Sequence, residues 1–235
     1  MKTQDKKMVR LILLLSGLLS AIGLAQEAEN KGRPVKLMYY LAPADAPSEA
    51  YLYAGGKQVA QTELTRTNFS ETFKIPQGDL LLRFLSSPLA EGQRLPKRAP
   101  LVRIPEKWQK VLLLVFEDPK NRVMPIRIQA INASDRHFGL GSIYMMNFSE
   151  AGVVGSIGDK HLKLKPKSLK IVKNPVQKNG YYPVKLNAVI RGEKKPRRLV
   201  KQMWSHSDRI RNVLFIMPKP APQHTTYYCA PIRDF

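Results

Sequence analysis

From residue 33 onward the chain is a succession of short runs rich in branched and aromatic residues, each closed by turn-forming residues. "VKLMYYL" (35–41), "AYLYAG" (50–55), "ETFKI" (71–75) and "LLLRFL" (80–85) set the pattern, and Pro76-Gln77-Gly78-Asp79 marks one of the breaks. Runs of this length and composition predict strands, and the Gly, Pro and Asp clusters between them predict turns. No segment beyond residue 25 keeps a helical period over 11 or more residues. "PEKWQK" (105–110) is long enough for one turn at most. The chain is therefore expected to be all-β.

Two runs say more. "KVLLLVFE" (110–117) is continuously apolar, as a strand buried on both faces must be. "MPIRIQAIN" (124–132) alternates, with Ile126, Ile128 and Ala130 on one side and Arg127 and Gln129 on the other. Further strands are expected at "GSIYMMNF", "GVVGSIG", "HLKLK", "SLKIVK", "YPVKLNAVIRG", "RRLVKQMW" and "RNVLFIMP".

Strand count and length divide into two consecutive immunoglobulin-like antiparallel β-sandwich modules, each of about 100 residues. The expected modules are 33–118 and 122–218, separated at the polar stretch "EDPKNR" (117–122). "EKWQKVLLLVFEDP" and "QMWSHSDRIRNVLFIMP" echo one another: a Trp, a polar bridge, an apolar strand and a proline. Residues 219–235 are expected to form a Pro-rich C-terminal tail whose Tyr227 and Tyr228 could dock on a module.

Residues 1–25 have the layout of a cleaved secretory signal peptide. Lys2, Lys6, Lys7 and Arg10 precede the mostly apolar segment Leu11–Ala25, and Gly23 and Ala25 sit where cleavage requires small residues. That segment is shorter than the roughly 20 residues needed to cross a bilayer. Cleavage near Ala25 removes four basic residues and Asp5, which lowers the formal charge from +21 to +18. The protein is thus expected to be secreted or periplasmic. With Cys229 as the only cysteine, no internal disulfide forms, and stability falls to the apolar core. The N-x-S sequons at Asn68, Asn132 and Asn147 are read as chance occurrences, since a short signal and a disulfide-free chain fit a bacterium better than a eukaryotic secretory pathway.

Catalytic signatures are weak. "GVVGSIG" lacks the G-x-S-x-G elbow, because Val154 stands two positions before Ser156, and its glycines suit a bulge or close strand packing. Cys229 and His224 lie in one proline-rich stretch, whereas a Cys–His pair is built across a fold. Asp135 and His137, Asp159 and His161, and His206 and Asp208 are spaced by two, which on a strand places an oxygen and a nitrogen on one face. Each pair supplies two of the three or four ligands a zinc ion needs. A metal-dependent enzyme using these pairs is one alternative function, but no cofactor is implied by any motif.

Charge is the strongest remaining signal. "RGEKKPRRLVKQMW" (191–204) holds six Lys or Arg against one Glu and is expected to be a hairpin with a basic turn. Arg198, Val200 and Gln202 should share one face of its second strand, with Leu199, Lys201 and Met203 on the other. "KHLKLKPKSLKIVK" alternates Lys163, Lys165 and Lys167 with Leu162 and Leu164. If the two regions share a sheet, Lys163, Lys165, Lys167, Lys194, Lys195, Arg197 and Arg198 form a basic plate for an anionic partner. Outside the cytoplasm that partner would be an envelope polymer, an anionic lipid headgroup met by peripheral membrane contact, or another envelope protein. Nucleic acid fits poorly, because aromatic side chains are not interleaved with these lysines for base stacking. The expected function is a non-enzymatic, exported envelope protein binding through that face. In the other alternative, a structural or assembly module, exposed sheet edges pair with a partner chain and the lysines only guard them.

Overall fold

The computed structural model describes residues 32–219 and 226–234. The expected signal peptide over 1–25 lies outside those residues, as does His224. The fold is all-β. The first eight strands are β1 (Arg33–Tyr39), β2 (Glu49–Ala54), β3 (Lys57–Glu63), β4 (Phe73–Ile75), β5 (Leu80–Leu85), β6 (Leu101–Ile104), β7 (Val111–Glu117) and β8 (Ile126–Asn132). The next eight are β9 (Ile143–Asn147), β10 (Gly152–Ile157), β11 (Lys160–Leu164), β12 (Leu169–Val172), β13 (Gly180–Val189), β14 (Arg197–His206), β15 (Arg211–Pro218) and β16 (Tyr227–Asp234). A single helical turn, Asp135–Phe138, stands between the two sets.

The two sets repeat one topology. The first forms sheets β4-β1-β7-β8 and β3-β2-β5-β6, and the second forms β12-β9-β15-β16 and β11-β10-β13-β14. Adding eight to each strand number converts the first pair of sheets into the second. The correspondence includes the parallel pairs β1–β7 and β9–β15, the two exceptions to antiparallel pairing. Of the two echoed stretches only the apolar strands correspond, β7 and β15: Trp108 lies in the β6–β7 connection and Trp204 within β14.

Three cores stack the sheets in four layers. Val35, Leu37, Val111 and Leu113 pack with Leu52, Leu82, Phe84 and Ile104 between the first two sheets. Ile143, Met145, Leu214 and Ile216 pack with Val153, Val184, Leu186 and Val200 between the last two. The opposite faces of β1, β7, β9 and β15 meet each other. There Met38, Leu112, Leu114 and Phe116 pack on Tyr144, Met146, Val213 and Phe215. Six consecutive residues of β7, Val111–Phe116, are buried, so the double-faced burial expected of this run is what the structure shows.

Two expectations are corrected. The polar stretch 117–122 joins β7 to β8, which are hydrogen-bonded neighbours in one sheet, so by strand pairing the changeover falls between Asn132 and Ile143. Residues 227–234 are a strand, not a tail: β16 pairs with β15 over eight positions, and Ile232 is buried in the central core. Pro231 is tolerated because β16 is an edge strand, where a missing N–H costs no ladder bond. Residues 105–110 do make one turn, closed by the Trp108 N–H donating to the Pro105 carbonyl at 3.1 Å, although it is not helical.

A buried ionic knot ties the halves together. The Asp234 carboxylate is 2% exposed and accepts from Arg211 Nε at 2.5 Å and from Lys36 Nζ at 2.9 Å. The Arg211 guanidinium also donates to the carbonyls of Ala133 (2.6 Å) and Phe138 (3.0 Å). These contacts join β1, β15, β16 and the 133–138 connection. Removing one partner of a buried pair leaves a charge without compensation, which costs about 3–5 kcal/mol. Asp234→Asn is accordingly expected to lower unfolding stability in urea by about 3 kcal/mol. Phe215→Ala, in the central core, is expected to cost about 4 kcal/mol. Because both halves own that core, each variant should unfold in one transition by fluorescence and by circular dichroism; two separated transitions would show halves that do not support one another.

Candidate functional site

The outer sheet of the second half, β11-β10-β13-β14, carries the charge. Val153, Leu162, Leu164, Val184, Leu186 and Val200 turn inward to the core, so the alternate positions face out. Strand register then fixes the outer rows. Lys163 lies opposite Val154, Val154 opposite Asn187, and Asn187 opposite Arg198. In the adjacent row His161, Ser156, Lys185 and Lys201 follow one another across the sheet. With strands about 4.8 Å apart, Lys163 and Arg198 are separated by about 14 Å along their row.

The structure places the seven expected contact residues differently from one another. Lys163 and Arg198 are on the outer face. Arg198 joins Lys201 there, and not Val200 and Gln202 as strict alternation requires, because the register slips between Leu186 and Asn187 and Leu199 becomes the extra residue of a bulge. Lys165 is exposed just past β11, at the same end of the sheet as the β13–β14 turn that bears Lys194 and Lys195. Arg197 is engaged: Nε donates to Glu193 Oε2 at 2.7 Å and a terminal nitrogen lies 2.6 Å from Oε1. Lys167 is engaged too. It sits at φ +49°, donates to the Phe148 carbonyl at 2.6 Å and pairs with Glu150 at 2.9 Å.

Two members of the face were not singled out from sequence. Lys185 and Lys201 are direct cross-strand partners on the outer side. Alternation in "PVKLNAV" already separates Lys185 and Asn187 from Val184, Leu186 and Ala188, so that signal was available for Lys185.

The charge is segregated. The four strands of this sheet hold six Lys or Arg and no Asp or Glu. The corresponding strands of the first half, β2, β3, β5 and β6, hold three basic and two acidic residues. Gly155 lets β10 approach β13 closely: it has φ +150°, and a β carbon there would collide with the Lys185 carbonyl oxygen. The "GVVGSIG" glycine thus serves strand packing, as expected.

The Asp/His pairs do not build a ligand set. Asp135 and His137 stand on the helical turn, where residues two apart point in different directions. Asp135 is paired with Lys110 at 2.9 Å. Asp159 is in the β10–β11 turn while His161 is on the outer face of β11. His206 ends β14 with its ring edge-on to Tyr182. Asp208, in the following turn, accepts from Asn179 at 3.0 Å. Among the described residues no three His, Cys, Asp or Glu side chains gather as a metal site. Asn147, in one of the sequons, is buried, and its amide donates to the carbonyls of Ala151 and Lys165.

Cys229 packs against the second half's core, and burial pushes its thiol pKa up to about 11. Only thiolate reacts readily, so at pH 8 alkylation of folded protein by iodoacetamide is expected to run about a hundredfold slower than after denaturation. Equal rates would show a thiol open to solvent.

No family model matches this chain, and no curated protein matches it in sequence.

Proposed function

We propose that this is an exported, non-enzymatic protein of the cell envelope that holds an anionic partner on the outer face of sheet β11-β10-β13-β14. The observation that carries the proposal is the segregation of charge. Lys163, Lys185, Lys201 and Arg198 share one face of four strands that contain no carboxylate, whereas the matching sheet of the first half is nearly balanced. Solubility alone has no need of that asymmetry. Many screened contacts spread over a flat face suit a repeating polyanion or a headgroup surface better than a small ligand. The outer positions between the cations are Val154, Ser156 and Asn187, none of them a stacking platform for bases. Export is supported by the pattern of residues 1–25. The same proposal takes each eight-strand repeat as an immunoglobulin-like sandwich, supported by its two facing four-stranded sheets.

Co-sedimentation with isolated envelope fractions across a salt series tests this. Binding should fall steadily as salt rises. Each exposed ion pair contributes about 0.5 kcal/mol, so Lys163→Glu/Lys185→Glu/Lys201→Glu should weaken binding at least about tenfold. Lys194→Ser/Lys195→Ser, confined to the turn, should change it less than about threefold. Wild-type binding by the triple variant would sink the proposal.

A further inference from the structure

The sheet edges differ in how they are protected. β4, β6, β12 and β11 are three, four, four and five residues long. The β2–β3 pair is broken by a bulge at Leu52/Tyr53, and β16 carries Pro231. β8 has seven residues, but its one charge, Arg127, lies 4.4 Å over the Phe116 ring. β14 is ten residues long, and among the described residues only β13 pairs with it. Beyond the bulge, Val200–His206 runs in regular register without a proline. Seven residues of regular, unpaired edge form a ready template for another strand.

Beside this edge lies a cleft of about 330 Å³, open between β14 and β16. Tyr182, Trp204 and Leu214 form its apolar wall, Ser205 and Arg233 its polar margin. Met203 and Tyr181 stand at the cleft 59% and 79% exposed, large apolar groups left to solvent. Charge decides what could cover them. Arg198 and Lys201 lie on β14 itself, and Arg233 lies across the cleft. A second copy pairing antiparallel through β14 would add its own Arg198 and Lys201 to a seam that already holds Arg198, Lys201 and Arg233 with no carboxylate on β14, an accumulation of like charge that disfavours it. An acidic strand would meet them with opposite charge.

We propose that β14 is an acceptor edge: an extended acidic segment of a partner protein adds to it as a further strand over Val200–His206 and seats one large apolar side chain in the cleft between Trp204 and Arg233. Main-chain hydrogen bonds hold the segment, and the cleft and cations select it. The proposal rests on the basic-face reading for the sign of the partner's charge, and it names the partner class.

Backbone amide hydrogen exchange of the full chain tests it. The probes are nine-residue peptides of alternating Thr and Glu, with Leu, Met, Phe, Tyr or Trp at the centre. At least one should give saturable protection confined to Val200–His206. Proline at the centre, or Lys for Glu throughout, should reduce that binding at least tenfold, as should Met203→Glu, a change at an exposed position that leaves the melting temperature in place. No protection by any peptide overturns the proposal. So does protection spread over β10 and β11, which means binding on the face, or β14 protection that grows with protein concentration alone, which means a second copy. Lys163→Glu/Lys165→Glu, at the β11 edge on the opposite side of the sheet from β14, separates the two proposals. If that variant still sediments with envelope while peptide protects β14, the face fails and the edge stands. If its sedimentation is lost and no peptide protects β14 in the wild type, the edge fails and the face stands.

Discussion

The central layer governs everything else. β7 and β15 are apolar on both sides, and a strand of that kind is stable only between two other apolar surfaces. Each is covered on one side by its own partner sheet and on the other by the opposite half. Tyr40 and Phe215 meet at 4.3 Å across that boundary, and Phe116 and Phe148 at 5.5 Å. Once the two inner sheets are joined this way, the two remaining sheets are necessarily the outside of the molecule. The basic sheet owes its exposure to a contact in which it takes no part.

That arrangement also explains how similar topologies can have dissimilar surfaces. The inner faces are bound by packing, and substitution there opens a cavity or forces a clash. The outer faces of β2, β3, β5 and β6, and of β10, β11, β13 and β14, carry no such demand. One of them is close to neutral and the other uniformly basic, on equivalent scaffolds.

Local pattern revealed much of this. The bounds of β5 and β15 coincide with the runs "LLLRFL" and "RNVLFIMP", and the burial of "VLLLVF" is evident from its composition. Pattern failed where edges relax it. β3, "KQVAQTE", is polar because an edge strand need bury little, and β16 was masked by Pro231 within it. Within the site, alternation exposes Lys163 and Lys185, but the bulge at Leu199 reverses the parity of Arg198, and a bulge is set by pairing with β13. The pairing of Arg197 with Glu193 and of Lys167 with Glu150 likewise depends on backbone geometry that residue order alone does not carry. No local signal marks the Asp234 knot, since its partners come from both halves.

The knot has a consequence for how the molecule comes into being. Lys36 is among the first residues of the fold to emerge during synthesis, and its carboxylate partner follows 198 positions later. Arg211 likewise has no anion to meet until Asp234 has been made. A growing chain can therefore assemble its first pair of sheets while the face of β1 and β7 destined for the other half remains wet. The joint between halves is a late event by construction, and an interrupted chain would display a broad apolar surface of the kind chaperones and proteases recognise.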